Sequence, residues 1–304
     1  MFRIAGHTMG TPEYTVTEAL ELFHRIGLEG AEIVVQDGYR SGIPEDCTRE
    51  RLQEIKEASK RLGIPIICLT PYNSRFNDLD RAVRDREIEG IRRVIGYARY
   101  LGAGYIRIYG GNFMGNERDE TGEKLANLIR SMRILGDEAE EAGVKLVIEN
   151  HFNTMTVSAA DSIKVSREIN HPSVGILYDQ ANLTFTQKED YREAIQAQAE
   201  KIYYMHVKDL AFKGENREFV SSDVSHPKEE ERNVVTRIVG EGCLDWPGIL
   251  TMVKDYGYEG WLSLEYERRW HPDDIPDASV GMKKSADYLR EFIGLLQDKR
   301  SGQP

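Results

Sequence analysis

The sequence predicts a single TIM barrel, which is a closed (β/α)8 sheet of parallel strands surrounded by helices. The chain has 304 residues, an ordinary length for one α/β barrel and a long one for a single sandwich or Rossmann unit. A helix, a glycine and a β-branched strand follow one another five times, as in RLGIPIICL and EAGVKLVIE. Eight apolar runs alternate with helical patterns along the chain. These three observations indicate one domain with a large core.

Each recurring glycine marks the place where a predicted helix ends and a predicted strand begins. Glycine adopts the left-handed conformation just beyond a helix end without a steric penalty, so each case is typical of a helix C-cap that leads into a strand. The eight predicted strands lie near residues 2–6, 31–35, 64–69, 104–109, 145–149, 174–178, 202–207 and 261–265.

Amphipathic patterns predict helices between these strands. In the first helix, apolar residues from Val16 to Phe23 share one face, and Thr15 with Glu18 is typical of a capping box at the helix start. The other helices lie near 48–62, 81–101, 119–142, 158–169, 189–200, 245–256 and 279–297. Alternating strands and helices imply a parallel sheet, and closing it leaves no unpaired edge. An open doubly wound sheet is the alternative, but no GxGxxG or GxxxxGKS/T motif follows a strand to support it.

We expect one barrel domain over residues 1–298, with an insertion at about 211–240, and a flexible C-terminal tail over 299–304. The stretch 211–240 follows the seventh strand and is longer than the ~2–6 residues usual for such connections. It carries mixed charges, including Glu229, Glu230 and Glu231. Because it follows a barrel strand, it must rise over the active-site face, either as a solvated surface loop or as a lid or partner-binding element.

The composition excludes several classes of protein. The cysteines Cys47, Cys68 and Cys243 are widely spaced and form no CxxC pair, so we expect reduced thiols and a cytoplasmic protein. The formal net charge of -11 opposes binding to a nucleic-acid backbone. No apolar run approaches the ~20 residues that cross a bilayer, and the N-terminus lacks the features of a signal peptide. We therefore expect neither a nucleic acid nor a membrane as a partner.

Four ionisable residues stand at the ends of apolar strands, where the catalytic groups of TIM barrels lie. Glu149 ends KLVIE, Asp179 follows VGILY, His206 lies in IYYMHV, and Glu265 follows WLSL. A single such residue is typically a hydrogen-bonded polar group, because an uncompensated buried charge costs several kcal/mol. Four of them on consecutive strands instead predict a shared site.

A divalent metal ion is the simplest way to join these four side chains. Three carboxylates would repel one another unless a cation lay between them. We therefore expect one divalent metal ion bound by Glu149, Asp179, His206 and Glu265. Three oxygen ligands with one nitrogen favour Mn²⁺, our first choice, and leave Mg²⁺, Co²⁺ and Zn²⁺ as alternatives.

The last four strands resemble the xylose-isomerase-like TIM-barrel superfamily, which includes sugar and sugar-phosphate isomerases and epimerases. The resemblance extends from IEN through D-x-x-N and HVKD to GEGCLDWPGILTMVKDYGYEGWLSLEYE, and more loosely over the whole chain. It implies a metal that holds two adjacent oxygens of a ketose or keto-sugar, with Glu149 and Glu265 as both ligands and acid/base groups. The implied reaction is isomerisation or epimerisation through a metal-stabilised enediolate. Barrels of this family are often dimers or tetramers, so we expect a homo-oligomer.

Two positions depart from the ketose 3-epimerases of this superfamily. Those enzymes carry a His three residues after the sixth-strand Asp and an Arg six residues after the seventh-strand His, where this chain has Asn182 and Phe212. The triplet Glu-Asn-His that ends at His151 resembles the metal-binding subunit of C-glycoside deglycosidases. That resemblance implies an alternative function, a 3-oxo-glycoside lyase that uses His151 as its base, with a possible partner subunit. A His151 that only orients Glu149 is the structural alternative.

Four residues near the strand ends are candidate contacts to a small sugar or sugar derivative: His7, Asn182, Lys208 and Trp270. Each has a structural alternative, namely a loop cap for His7, support of a carboxylate ligand for Asn182, an ion pair for Lys208 and packing for Trp270. Arg107 lies within the fourth strand, where we expect an ion pair with barrel carboxylates. The less favoured functions are an AP endonuclease of the endonuclease IV type and a non-catalytic metal-binding barrel. The endonuclease chemistry uses three Zn²⁺ ions and a large His cluster, whereas this chain has seven His, of which only His7, His151 and His206 lie near strand ends.

Overall fold

A computed structural model describes residues 1–214, 218–219, 221–222 and 228–301. Eight parallel strands close into a barrel, which confirms the predicted fold class. The barrel strands are β1 (Arg3–His7), β2 (Gly30–Val35), β3 (Ile66–Pro71), β4 (Tyr105–Ile108), β5 (Lys145–Glu149), β6 (Val174–Tyr178), β7 (Ile202–Val207) and β10 (Trp261–Leu264). Two further strands, β8 (Asp209–Phe212) and β9 (Val234–Arg237), form a separate ribbon.

Helices surround the barrel. In the described part of the chain they are α1 (Val16–Arg25), α2 (Arg49–Leu62), α3 (Arg81–Leu101), α4 (Glu123–Ala142), α5 (Ala159–Ile169), α6 (Gln180–Gln187), α7 (Tyr191–Gln198), α8 (Trp246–Asp255) and α9 (Ala278–Ser301). Their buried faces pack on the outer faces of the strands and form most of the apolar core.

The local signals read from the sequence determine where the helices begin and end. α2, α3 and α4 end at the glycines Gly63, Gly102 and Gly143, whose φ angles are 66°, 84° and 72°. This left-handed conformation costs other residues about 1–2 kcal/mol each, because their Cβ crowds the carbonyl oxygen. At the start of α1, Thr15 N–H donates to Glu18 at 2.7 Å and Glu18 N–H donates to Thr15 at 3.3 Å, which confirms the capping box.

Alternation along the strands places the polar site directly above an apolar layer. Successive residues of a strand point to opposite faces, so positions two apart share the barrel interior. An apolar cluster inside the barrel includes Ala5, Val147, Leu177 and Tyr204. Two residues later along the same four strands come His7, Glu149, Asp179 and His206.

The ribbon is an excursion of the chain between β7 and α8. β8 and β9 pair in antiparallel orientation. The carboxylate of Asp209 accepts hydrogen bonds from the backbone N–H groups of Gly240, Gly242 and Leu244 at 3.0, 3.2 and 3.2 Å, so it ties the start of the excursion to its end. Within the insertion predicted at about 211–240, residues 215–217, 220 and 223–227 lie outside the described residues.

Two segments differ from the predicted elements. The sequence predicts one helix near 189–200, whereas the structure has α7 there and α6 before it. Asp179 caps α6, because its side chain accepts a hydrogen bond from the Asn182 N–H at 2.9 Å. The helix α9 continues to Ser301, past the predicted start of the tail at 299, and residues 302–304 lie outside the described residues.

The structure also bears on two expectations from composition. Cys47, Cys68 and Cys243 form no disulfide bond with one another in the described part of the chain. None of the helices in the described ranges combines the length and the apolar character needed to cross a membrane.

Candidate metal centre and active site

The structure brings together all four residues that the sequence nominates as metal ligands. Glu149 ends β5, Asp179 follows β6, His206 lies in β7 and Glu265 follows β10, and all four side chains are buried. One potential ligand atom from each lies within 4.8 Å of those from the others. The Nδ1 atom of His206 is 3.3 Å from Glu149, 3.4 Å from Glu265 and 4.0 Å from Asp179. The geometry is therefore that of a candidate site for one metal ion.

The donor set fits a divalent cation, and one of its atoms lacks a hydrogen-bond partner. Asp179 Oδ2 is buried and accepts no hydrogen bond from the described residues, although it lies 3.1 Å from Lys208 Nζ. Burial raises the pKa of Asp179 to about 7 despite the nearby Lys208 charge. Such a shift reflects the free-energy cost of a charge without adequate compensation. A cation coordinated by Asp179 would remove that cost, and three carboxylates with one imidazole suit Mn²⁺, Mg²⁺, Co²⁺ or Zn²⁺.

Glu32 orients His206 and was missed by the sequence analysis. The carboxylate of Glu32 lies 3.1 Å from His206 Nε2 and accepts a second hydrogen bond from Tyr204 at 3.0 Å. Burial opposes ionisation of Glu32, but the charges of His206 and His7 lower its pKa to about 2. A carboxylate on Nε2 leaves Nδ1 to face the cluster, which is the arrangement of a metal-binding histidine. The one sequence signal that could have identified Glu32 is its position as the single charged residue within the apolar run GAEIVV.

Lys208 connects the cluster to the rim of the barrel. Its ammonium group donates to Glu265 at 2.6 Å and to Glu267 at 3.2 Å. Burial opposes the charge, yet Asp179, Glu265 and Glu267 raise the pKa of Lys208 well above its ordinary value. The ion pair considered in the sequence analysis is therefore present, and the same side chain also lines the pocket described below.

Arg107 is the second buried cation of the site. Its Nε atom lies 3.4 Å from Glu149, which is the ion pair expected from the sequence. The guanidinium carbon lies 4.0 Å from the ring centre of Tyr109 and 5.1 Å from that of Tyr72. Aromatic faces favour a cation at such distances. They stabilise the charge of Arg107, while its Nε and Nη1 atoms have no hydrogen-bond acceptor among the described residues.

His151 has a fixed tautomer. Its Nδ1 atom lies 3.0 Å from the backbone oxygen of Phe152. Because a carbonyl oxygen only accepts hydrogen bonds, Nδ1 carries the proton and Nε2 keeps its lone pair in the neutral ring. Burial lowers the pKa of His151, and the charges of Lys208 and Arg107 act in the same direction, against Glu149. The result is a neutral imidazole with a basic nitrogen.

A pocket adjoins the cluster. The barrel residues Arg107, His151, Lys208 and Glu265 line it. Residues in or beside the ribbon line it as well, namely Phe219, Arg232, Asn233, Val234 and Thr236. Thr236 donates to Glu267 at 3.0 Å, and Arg232 is bound to Glu229 and Asp274. The excursion after β7 therefore supplies part of the wall of the pocket.

The four residues nominated as substrate contacts fall into two groups. Asn182, Lys208 and Trp270 line the pocket. Asn182 also donates to Glu149 at 3.3 Å, so it supports a candidate ligand. His7 is not among the residues that line this pocket. It is fully buried, its Nδ1 accepts the Met9 N–H at 3.0 Å, and its Nε2 lies 3.1 Å from Thr70. The structural alternative for His7, a loop cap, matches this geometry.

Comparisons with known proteins place these features in context. The chain is similar to an inosose dehydratase of Geobacillus thermodenitrificans, with 26% identity over 175 residues that cover 58% of this chain and 57% of the relative. It is also similar to a 3-dehydroshikimate dehydratase of Pseudomonas putida, with 24% identity over 295 residues that cover 94% of this chain and 40% of the relative. The chain thus spans about half the length of the curated relatives that it matches.

Structural similarity extends over nearly the whole chain. A crystal structure described as IOLI protein with a binding zinc atom superposes with a TM-score of 0.76 and 18% identity, covering 96% of this chain and 98% of that one. These similarities support an enzyme of this fold without separating isomerase from lyase chemistry. A family model described as xylose isomerase-like TIM barrel matches residues 20–292, and the chain belongs to that family.

Proposed function

We propose that the protein is a divalent-metal-dependent lyase that acts on a polyhydroxylated ketone. In this reaction the enzyme removes a proton from the carbon next to the carbonyl and expels the β-hydroxyl group as water. One observation carries the proposal: the pocket beside the four-residue cluster holds His151 with its Nε2 lone pair available. The two dehydratases to which the chain is similar support the same class of reaction.

Glu149, Asp179, His206 and Glu265 would hold the metal ion, with Mn²⁺ as our first choice and Mg²⁺, Co²⁺ or Zn²⁺ as alternatives. When bound there, the metal would polarise the carbonyl group of the substrate and so make the neighbouring C–H bond more acidic. Glu32 keeps His206 oriented toward this position, and Asn182 restrains Glu149.

His151 is better suited than the carboxylates to remove the proton. Burial and Glu265 oppose ionisation of Glu149, yet the His206 hydrogen bond and the Arg107 charge leave its pKa below the ordinary value. Such a carboxylate is a weak base. The Nε2 atom of His151 carries a lone pair in the neutral tautomer, and the side chain lines the pocket. We therefore assign the base to His151.

Lys208 is suited to protonate the departing group. In the proposed elimination, the C–H electron pair forms a C=C bond as the C–O bond breaks, and the hydroxyl leaves as water with a proton from Lys208. The proton taken by His151 later restores the charge of Lys208, so the net change is loss of one water. Lys208 is charged and lines the same pocket as His151, so it is placed to donate a proton to the hydroxyl group as that group gains negative charge in the breaking C–O bond.

Isomerisation or epimerisation is the second candidate, and the position of two carboxylates favours it. Glu149 and Glu265 both reach the cluster, each close to His206 Nδ1 at 3.3 and 3.4 Å. If they transferred the proton instead of His151, the substrate would be returned as an isomer without loss of water. The two candidates share the first step, which is proton removal beside a carbonyl.

The test is to incubate protein loaded with each metal in D2O with an inosose, 3-dehydroshikimate and a panel of ketoses. The proposal predicts loss of water by mass spectrometry and a changed ultraviolet absorption spectrum for at least one of them. His151→Ala should lower this rate by about 10²–10⁴-fold, whereas His24→Ala, at an exposed position of α1, should leave it unchanged. Isomer formation with full activity of His151→Ala would support the second candidate instead, and the absence of both water loss and deuterium exchange with every substrate would contradict both.

A further inference from the structure

Arg107 has unused hydrogen-bonding capacity inside the pocket. The side chain is only 2% exposed, yet it lines the pocket. Neither Nε nor Nη1 has a hydrogen-bond acceptor within the described part of the protein. The 3.4 Å contact between Nε and Glu149 is an ion pair without a hydrogen bond. A buried donor left unsatisfied costs about 1–3 kcal/mol, and more when it is charged.

The other cations of the pocket are already paired. Lys208 donates to Glu265 and Glu267, and Arg232 donates to Glu229 and Asp274. Among the Lys and Arg side chains that line the pocket, Arg107 thus stands apart, since two of its donor atoms are buried without an acceptor in the described residues. An anionic group in the pocket would supply the hydrogen-bond acceptor that these Arg107 donors lack.

The surroundings of Arg107 limit the shape and the charge of that group. The rings of Tyr109 and Tyr72 lie close to the guanidinium group, at 4.0 and 5.1 Å from its carbon, so they restrict access to its faces. A planar acceptor that approaches along the edge matches a guanidinium fork best. Glu149 and Glu265 lie nearby, and their negative charges disfavour a doubly charged group more than a singly charged one. A carboxylate meets both conditions better than a phosphate.

We propose that Arg107 binds a carboxylate of the substrate, so that the enzyme acts on an acidic polyhydroxylated ketone and not on a neutral sugar. This inference rests on the proposed function for the reaction, but it concerns binding alone. Arg107 is then a specificity-determining residue. Its guanidinium holds the acid group while Glu149, its ion-pair partner, faces the candidate metal position.

Binding of two inert polyols to the metal-loaded protein tests the subsite without any turnover. Quinate carries a carboxylate on a six-membered ring, and myo-inositol is a neutral polyol of the same ring size. By isothermal titration we expect quinate to bind at least about tenfold more tightly than myo-inositol, since one charged hydrogen-bonded pair is worth roughly that or more. Equal or weaker binding of quinate by the unmodified protein would overturn the proposal.

The variant Arg107→Met should lose about tenfold or more in affinity for quinate and keep its affinity for myo-inositol within about threefold. Arg107→Lys, which retains charge but not the planar fork, should fall between the two. The matched control is Arg86→Met, at an exposed position of α3, and it should bind both ligands as the unmodified protein does.

The outcomes separate the subsite from the reaction. If both Arg107 variants weaken quinate and myo-inositol equally, Arg107 is only a structural partner of Glu149 and the subsite is refuted. Retained metal content and an unchanged circular dichroism spectrum identify variants that have folded. Because no turnover is measured, absence of lyase activity would refute the proposed function and leave the binding result intact. If the protein removed water from a neutral inosose only and bound quinate no more tightly than myo-inositol, the proposed function would stand and the carboxylate subsite would be refuted.

Discussion

Each candidate metal ligand is held by another residue, and single substitutions act at this level. Glu32 binds His206, and Lys208 binds Glu265. Asn182 donates to Glu149 through its side chain and to Asp179 through its backbone N–H. The ligands themselves were predictable because each is an ionisable residue at the end of an apolar strand. The role of Glu32 was not predictable, because its partner His206 lies far away in the sequence and the two meet only in the closed barrel. The tautomer of His151 was equally hidden, because it depends on the direction of one backbone carbonyl.

Replacing Glu32 should weaken metal binding without removing a ligand. We expect Glu32→Leu to lower the affinity for Mn²⁺ or Co²⁺ by about 10–100-fold, because His206 loses the carboxylate that orients it. Glu32→Gln retains an acceptor and should cost less. The measurement is competition with a chelator of known affinity. The control is Glu50→Gln on an exposed position of α2, and equal affinities for all these proteins would show that Glu32 does not support the site.

Metal binding should release protons and strengthen as pH rises. Burial opposes a charge on His206, but Glu265 and Glu32 raise the pKa of its imidazole well above the ordinary value. In the metal-free protein His206 therefore remains protonated at neutral pH. A ligand nitrogen must be deprotonated, so the metal competes with a proton, and raising the pH toward the elevated pKa favours the metal. Titration in a weakly buffered indicator solution measures the release. An affinity independent of pH would contradict this account.

At the scale of elements, the strands and most helices follow from local patterns, whereas the ribbon and α6 do not. The glycine caps and the capping box act within a few residues, so the sequence alone reveals them. β8 pairs with β9 across more than twenty intervening residues, and no local pattern specifies that pairing. α6 is short, and its cap is Asp179, a residue that sequence reasoning assigned only to the metal site.

Removing the Asp209 carboxylate should loosen the ribbon and leave the barrel intact. It accepts backbone hydrogen bonds from Gly240, Gly242 and Leu244, and losing them should lower the free energy of unfolding by at least about 2 kcal/mol. We expect Asp209→Ala to speed hydrogen exchange at those amides and to leave the barrel strands protected. Asp46→Ala, whose side chain is 94% exposed, is the control. Uniformly faster exchange throughout the protein would show that Asp209 supports the whole fold instead.

At the scale of the whole molecule, the site joins strands that are distant in sequence. The ligands come from β5, β6, β7 and β10, while Glu32 comes from β2, on the opposite side of the closing β1–β10 pair. The closed parallel sheet was predictable from eight alternating units. Which side chains touch across its interior was not, because that depends on strand register and on the size of the residues that fill the barrel.

Metal loading should stabilise the entire barrel. A ligand that binds only the folded state at a hundred times its Kd adds about 2.7 kcal/mol, which corresponds to a Tm increase of about 4 °C for a domain of this size. The increase should grow with metal concentration and disappear on addition of EDTA. Glu265→Gln, which removes one charged ligand, should show a smaller increase. A Tm that does not respond to any of the four metals would argue against a metal site.

The bonds to Asp209 have a consequence for how this fold can diversify. By gathering both ends of the excursion at one point, this carboxylate makes the paths of β7 and α8 independent of what lies between them. The length and composition of the excursion can therefore change during evolution with little effect on the register of the barrel strands. The excursion also forms part of the pocket wall. Substrate preference can therefore evolve through changes in the excursion, while the barrel that holds the catalytic cluster stays the same.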